Sequence, residues 1–172
     1  MIRVDLSRCT GCRRCETACA FFHTGRVNRH QARIRVVQFY EKGIDGPVVC
    51  VQCRERYCLK CPEKALSLGH DGQVIVSPTR CNLCGACEKN CPIGAVTIFE
   101  GFVYICDLCG GDPKCVQACT ENAIIWDRAA VEEVSLAGHR SVGRSLNPGE
   151  RRERFIQENA KSVRKDRESR NA

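Results

Sequence analysis

Residues 81–92 read Cys81-Asn82-Leu83-Cys84-Gly85-Ala86-Cys87-Glu88-Lys89-Asn90-Cys91-Pro92. Two, two and three residues separate the four cysteines, and a proline follows the last one. This spacing allows three sulfurs to surround one face of a [4Fe–4S] cluster, while the fourth sulfur binds a neighbouring cluster. A run of this kind therefore needs a second run to be complete.

Three further runs of four cysteines accompany this one. In chain order, the runs are Cys9, Cys12, Cys15 and Cys19; Cys50, Cys53, Cys58 and Cys61; Cys81, Cys84, Cys87 and Cys91; and Cys106, Cys109, Cys115 and Cys119. They use all 16 cysteines of the 172-residue chain. Zinc sites typically take two separated CxxC pairs, whereas these cysteines form close groups of three with a trailing fourth. The pattern predicts sixteen cysteine ligands for four [4Fe–4S] clusters.

The cysteine content also bears on the cellular compartment, because it indicates either a disulfide scaffold or a metal protein. Residues 1–8 lack the apolar core of a secretory signal. No apolar run reaches the length that spans a bilayer. We therefore expect a cytoplasmic protein whose reduced thiols bind metal.

The formal charge of +7 comes from 27 basic and 20 acidic residues. Four thiolates around a [4Fe–4S] core leave each site with a charge of about −2, so four clusters would bring the total to about −1. The basic excess then offsets cluster charge, and we expect no nucleic-acid partner. Because only 6% of the residues are aromatic, we expect the clusters to replace part of the core and the iron-free chain to be poorly folded.

Short strands and tight turns separate the cysteine runs. Residues 2–5, 34–40 and 123–126 are predicted to be strands, residues 43–47 a turn, and residues 65–76 and 95–105 two β-hairpins. Cysteine run, strand and hairpin recur along the chain, which indicates an internal repeat. The sequence predicts an α+β fold of short β-hairpins, cluster loops and short helices.

Residues 128–172 contain no cysteine and carry 11 basic and 7 acidic residues. In residues 150–170, Phe155, Ile156 and Val163 are the only large apolar side chains. Mixed charges at helical spacing are typical of a solvated helix or of a disordered segment that orders on a partner. We expect a basic C-terminal tail, helical or extended, that docks a partner subunit or a second copy of the chain.

The order and spacing of the four runs resemble those of the iron–sulfur subunits of molybdenum- and tungsten-dependent oxidoreductases, the DMSO-reductase-type subunits. The resemblance covers about residues 1–127. The fourth run, with Gly110-Gly111-Asp112-Pro113-Lys114 before Cys115, looks most like the small subunits that accompany tungsten aldehyde oxidoreductases. The resemblance implies bacterial-type ferredoxin units, tandem or nested, and a role in electron transfer.

The family resemblance also implies which cysteines share a cluster, by pairing the first run with the fourth and the second with the third. The implied groups are Cys9, Cys12, Cys15 and Cys119; Cys106, Cys109, Cys115 and Cys19; Cys50, Cys53, Cys58 and Cys91; and Cys81, Cys84, Cys87 and Cys61. An outer unit of residues 1–46 plus 100–127 would enclose an inner unit of residues 47–99, and the tail of residues 128–172 would follow. From the sequence alone, pairing the first run with the second and the third with the fourth is equally open.

Two positions depart from the family pattern. Only two residues separate Cys58 from Cys61, where the family usually has three, and Thr120 replaces the proline expected after Cys119. The cluster that depends on Cys61 is therefore the first one we would expect to be missing. Four histidines occur in no cysteine–histidine pair and are interpreted as exposed or hydrogen-bonded side chains: His23, His30, His70 and His139.

The resemblance implies an electron conduit that is not an enzyme by itself. One partner would be a tungsten- or molybdenum-cofactor catalytic subunit that oxidises an aldehyde. The other would be a flavoprotein that uses NAD, or a soluble ferredoxin. The sequence contains no Gly-rich phosphate loop or catalytic constellation, so we expect no catalytic residue and no cofactor-binding residue beyond the cysteines. An iron–sulfur maturation or redox-sensing accessory protein is the competing interpretation.

Overall fold

A computed structural model describes residues 1–128, 134–143 and 145–171, and within these the side chains of residues 141–143, 162 and 164–171 are left undescribed. The strands of the described residues form four two-stranded antiparallel sheets. The pairs are β1 (Ile2–Val4) with β8 (Ile124–Trp126), β2 (Ile34–Phe39) with β3 (Ile44–Val49), β4 (Leu66–Leu68) with β5 (Val74–Val76), and β6 (Thr97–Phe99) with β7 (Phe102–Tyr104). The three predicted strands and both predicted hairpins are confirmed, and with the helices they form an α+β fold.

The turn predicted for residues 43–47 is wrong. The chain reverses earlier, over Tyr40–Lys42 and Gly43, and β3 then runs straight through Pro47, which lies opposite Val36. Proline lacks a backbone N–H, but each sheet here has only two strands, so a strand always has one open edge where a donor is not required. Pro47 is therefore compatible with β3.

Five α-helices are formed by the described residues. They are α1 (Arg14–Thr24), α2 (Ala86–Asn90), α3 (Lys114–Gln117), α4 (Ala137–Gly143) and α5 (Pro148–Asn171). The first three begin inside cysteine runs and carry ligand candidates in their first turns. In the part of the chain that the structure describes, no helix combines the length and the apolar character needed to cross a membrane.

Two apolar cores lie beneath the cysteine runs. One contains buried cysteines of the first and fourth runs, namely Cys15, Cys19, Cys106 and Cys115. The other contains Cys58, Cys87 and Cys91 of the second and third runs. The hairpin β2–β3 crosses the expected unit boundary between residues 46 and 47, and the β6–β7 hairpin turns at the boundary between residues 99 and 100.

The C-terminal helix α5 packs on the second core instead of being fully solvated. Ile156 and Ala160 are each only 1% exposed. A side chain at Gly46 of β3 would collide with Ile156, since its Cβ would lie 2.7 Å from Cδ1. Glycine at this position therefore allows the helix to approach the sheet closely. The described part of the tail contains the helices α4 and α5, as the sequence permits, but the first half of α5 belongs to the folded core.

Candidate metal centres

Two small cavities are each lined by three cysteines of one run and the trailing cysteine of another. One is lined by Cys9, Cys12, Cys15 and Cys119, and the other by Cys50, Cys53, Cys58 and Cys91. We name each site after the run that provides three cysteines, so these are the first-run and second-run sites. Both groupings agree with those implied by the family resemblance and differ from the sequential pairing.

The remaining cysteines fall into a fourth-run and a third-run site. Burial, together with the nearby sulfurs of Cys19 and Cys109, raises the pKa of Cys115 to about 12. Burial likewise raises the pKa of Cys87 to about 11, with contributions from the nearby sulfurs of Cys81 and Cys61. Cys19 and Cys61 therefore lie near sulfurs of their partner runs, and Cys84 is assigned to the third-run site by its spacing from Cys81 and Cys87.

The four runs share one backbone feature. The residue directly before the second cysteine has a left-handed conformation in every run: Gly11 (φ 67), Gln52 (φ 54), Leu83 (φ 59) and Leu108 (φ 58). For a residue other than glycine this conformation costs about 1–2 kcal/mol. Left-handed residues in turns make successive backbone N–H groups converge and form concavities for anions. A left-handed conformation at the same position of every run, strained in the three runs where the residue is not glycine, is typical of a binding site.

Three of the trailing cysteines share a second feature. Three residues after Cys61, Cys91 and Cys119, the chain is left-handed, at Lys64 (φ 49), Gly94 (φ 65) and Asn122 (φ 50), and a buried alanine follows in each case. The alanine N–H donates to the sulfur of Cys91 and of Cys119, at 3.3 Å in both cases. The residues after Cys61 therefore adopt the standard turn although its spacing from Cys58 is short.

Cys19 is held differently because α1 continues through it to Thr24. Here the N–H of Arg33, from the segment before β2, donates to the sulfur at 3.3 Å. Donors directed at sulfur stabilise the thiolate and raise the potential of a cluster bound to it. Backbone groups thus support three of the four trailing sulfurs.

Burial controls the protonation of the thiols in the metal-free chain. It raises the pKa of Cys58 to about 12 and that of Cys19 to about 11, and raises the pKa values of Cys15 and Cys50 even further. None of the 16 cysteines forms a disulfide. Cys12 and Cys84 are the two exposed members of the set.

These groups of thiols fit [4Fe–4S] clusters. Thiolate sulfur is the preferred donor of iron–sulfur clusters, and the second-run cavity is otherwise lined by apolar side chains such as Val96, Ile105 and Leu136. Apolar linings exclude water from the sulfurs, and the converging N–H groups suit an anionic guest. When bound, a cluster would supply one-electron redox chemistry.

One residue near the fourth-run site was not anticipated. The Nε2 atom of His23 lies 3.6 Å from the sulfur of Cys109 and 3.4 Å from a carboxylate oxygen of Asp107, which also pairs with Arg33. Burial lowers the pKa of His23, and Arg33 lowers it further. The sequence did contain a signal, since His23 follows Cys19 by four residues and so shares its helix face.

The other histidines are exposed or paired, in agreement with their interpretation. His70 is exposed, and His139 forms an ion pair with Glu158 at 2.8 Å. His30 is exposed and stacks on the ring of Phe99, with centroids 5.2 Å apart, and its backbone N–H donates to the side chain of Asn28.

Comparison with known proteins supports [4Fe–4S] binding by two parts of the chain. The description "4Fe-4S binding domain" matches residues 1–25 and again residues 74–97. A polyferredoxin-like subunit of an aliphatic sulfonate oxidoreductase from Pyrococcus furiosus is 42% identical over 124 residues, which cover 70% of this chain and 71% of that protein. The electron transport protein HydN of Escherichia coli is 31% identical over 163 residues, covering 78% of this chain and 91% of HydN.

A third relative is a longer chain. The beta subunit of an NADH-dependent phenylglyoxylate dehydrogenase from Aromatoleum evansii is 33% identical over 134 residues, which are 72% of this chain but 29% of that subunit. The first two relatives match this chain over most of their own length. The chain therefore belongs to the family of ferredoxin-type 4Fe–4S electron-transport proteins, which includes polyferredoxin-like subunits of oxidoreductases.

Proposed function

We propose that this chain relays single electrons through four [4Fe–4S] clusters, with all sixteen cysteines as ligands, inside a cytoplasmic oxidoreductase complex. The observation that carries the proposal is the sorting of the cysteines into four groups, each with three sulfurs from one run and one from the partner run. Such sharing links two clusters in each unit. It also supports an outer unit (1–46 plus 100–127) nested around an inner unit (47–99), followed by the tail of residues 128–172.

Electrostatic interactions between thiols of different sites support a linear order. Burial raises the pKa values of Cys15, Cys106 and Cys58, and each is raised further by a sulfur of another site, from Cys115, Cys50 and Cys87 respectively. These electrostatic interactions link neighbouring sites in the order first-run, fourth-run, second-run and third-run. The exposed cysteines, Cys12 and Cys84, belong to the two ends of this series. Electrons would enter at one end and leave at the other.

An electron relay needs one partner that supplies electrons and another that accepts them. A tungsten- or molybdenum-cofactor subunit that oxidises an aldehyde would supply electrons, and an NAD-dependent flavoprotein or a soluble ferredoxin would accept them. The relatives support partners of this general kind, since one is named as a subunit of an aliphatic sulfonate oxidoreductase and another as part of an NADH-dependent dehydrogenase. Self-association through the tail would join two such conduits.

The test is anaerobic purification of the chain with its native partners, followed by analysis of iron, sulfide, tungsten, molybdenum and flavin. We expect about sixteen iron atoms per chain and four clusters that reduce reversibly. The variant Cys61→Ser should lose the third-run cluster, whereas Ser67→Ala, a matched change on the neighbouring exposed strand β4, should lose none. Labile clusters that transfer to an iron-free acceptor protein would favour the maturation role instead.

A further inference from the structure

Arg151, in the first turn of α5, is a buried arginine that contacts the second-run site. It is only 4% exposed. Its Nη1 atom donates to the carbonyl oxygens of Glu88 at 2.8 Å, Lys89 at 3.2 Å and Cys91 at 2.6 Å. These carbonyls end α2 and include that of the trailing cysteine. Carbonyl groups at a helix end lack partners in the helix, so the guanidinium acts as a cap for α2.

The charge of Arg151 is not matched by a carboxylate. Among the described residues, the ion pairs do not include Arg151. The nearest acidic residue in the chain segment that it caps is Glu88, whose carboxylate accepts from the N–H of Ile98 at 2.8 Å. The neighbouring Arg152 adds a second cation, which donates to Gly94 at 2.8 Å. A buried charge is costly unless a counter-charge lies near it.

The second-run site offers such a counter-charge. Cys91 lines its cavity together with Cys50, Cys53 and Cys58, and a cluster held by four thiolates carries a charge of about −2 when oxidised and about −3 when reduced. This inference rests on the proposed cluster ligation. We propose that Arg151 is a positioning residue that balances the charge of the second-run cluster and raises its reduction potential, so that the C-terminal helix tunes one step of the electron relay.

The tail also keeps this site dry, which strengthens the effect of the charge. Leu136 is only 2% exposed and lines the same cavity. Its N–H donates to the carboxylate of Glu55 at 3.0 Å, and the N–H of Arg54 donates to Val134 at 3.0 Å. Because electrostatic interactions are stronger where water is excluded, a cation beside this site acts with little screening.

Two arginines near other sites pair with carboxylates, unlike Arg151. Arg33, close to the fourth-run site, pairs with Asp107. Arg13, in the first run, pairs with Glu16 at 3.4 Å. The Arg33–Asp107 pair is nearly neutral as a unit and should move a cluster potential less than Arg151 does.

The test compares Arg151→Met, Arg151→Lys and Arg151→Gln in the full-length iron-loaded chain. Iron content is measured first, and the potentials of the clusters are then followed by EPR-monitored redox titration. We expect Arg151→Met to disfavour reduction of one cluster on the order of tenfold, which corresponds to about 59 mV. Arg151→Lys keeps the charge and should restore most of the shift. The control Arg154→Met, which removes an exposed partner of Glu158, should change no potential.

Two results would overturn the inference. One is an Arg151→Met chain with four clusters and unchanged potentials; the other is an Arg151→Lys chain whose potential falls as far as that of Arg151→Met. If Arg151→Met holds only three clusters, the cluster potentials of Arg151→Gln are measured instead, because glutamine can still donate to the same carbonyls. Unchanged potentials in Arg151→Gln would likewise overturn the inference. Failure of the unmodified chain to bind four clusters would instead overturn the proposed function.

Discussion

Protons on the buried thiols couple the stability of the iron-free chain to pH. Burial raises the pKa of Cys58 and of Cys115 to about 12 and that of Cys19 to about 11, from an ordinary value of 9.0. The folded chain therefore binds these protons more tightly than the unfolded chain does. This contribution to stability is complete below pH 9 and is lost as the pH rises to about 12.

We expect the folded structure that the reduced, iron-free chain retains, measured as ellipticity, to decrease between pH 9 and pH 12. The ellipticity of the iron-loaded chain should stay nearly constant because its thiolates have no protons to lose. Circular dichroism under anaerobic conditions measures both. The variant Cys58→Ser should flatten the iron-free profile. Equal pH profiles for the two forms would contradict the assignment of iron to the buried thiols.

Single residues also show which features could be predicted from the sequence. The grouping of cysteines into runs could be predicted because cluster ligands follow strict spacing. His23 was missed because its partners, Asp107 and Cys109, are more than 80 residues away in sequence. The left-handed conformation of Gln52 and Leu83 could not be predicted either, because their side chains do not favour it. A bound cluster would account for the strain.

At the scale of elements, Gly94 joins the loop after Cys91 to the start of α5. A Cβ atom at Gly94 would lie 2.1 Å from the carbonyl oxygen of Pro148, and the residue is left-handed with φ 65. Gly25 is also left-handed, with φ 67, but a Cβ atom there would meet nothing within 4 Å. Alanine substitutions at the two glycines therefore distinguish the free-energy cost of the left-handed conformation from the cost of the steric contact with Pro148.

We expect Gly94→Ala to destabilise the iron-loaded chain by about 2–5 kcal/mol, against about 1–2 kcal/mol for Gly25→Ala, because only the first change forces α5 away from the core. The thermal midpoint at a fixed scan rate and hydrogen exchange of the α5 amides report the difference. Exchange in α5 should quicken in Gly94→Ala alone. Equal exchange in both variants would mean that α5 does not depend on this contact.

The elements that the sequence predicted correctly have local signals. Glycine-containing turns between alternating apolar residues marked the two hairpins. The strand β3 was obscured by Pro47, which usually interrupts a strand, and the packing of α5 was obscured by its charged composition. Arg151 looked like a surface residue because its partners are backbone carbonyls, and backbone carbonyls leave no trace in a sequence.

At the scale of the whole molecule, the tail forms part of the second-run site. Leu136 closes the cavity, Arg151 caps the loop of Cys91, and Ile156 joins the same core. A docking role for the tail is compatible with this arrangement only if the outer surface of α5 provides it. Removing the tail should therefore also disturb the second-run site and the electron path through it.

A chain that ends at Arg128 tests this dependence. It keeps the cation–π contact of Arg128 with Trp126, 4.1 Å from the ring centroid, and its bond to Gly111, so the outer unit should remain intact. We expect the second-run cluster to be lost and the iron content to fall from about sixteen to about twelve atoms per chain, because an opened cavity exposes its sulfurs to water and oxidants. A chain that ends at Val163 keeps Arg151, Ile156 and the other described buried side chains of α5, and it should hold all four clusters. Four stable clusters in the chain that ends at Arg128 would show instead that the tail serves docking alone.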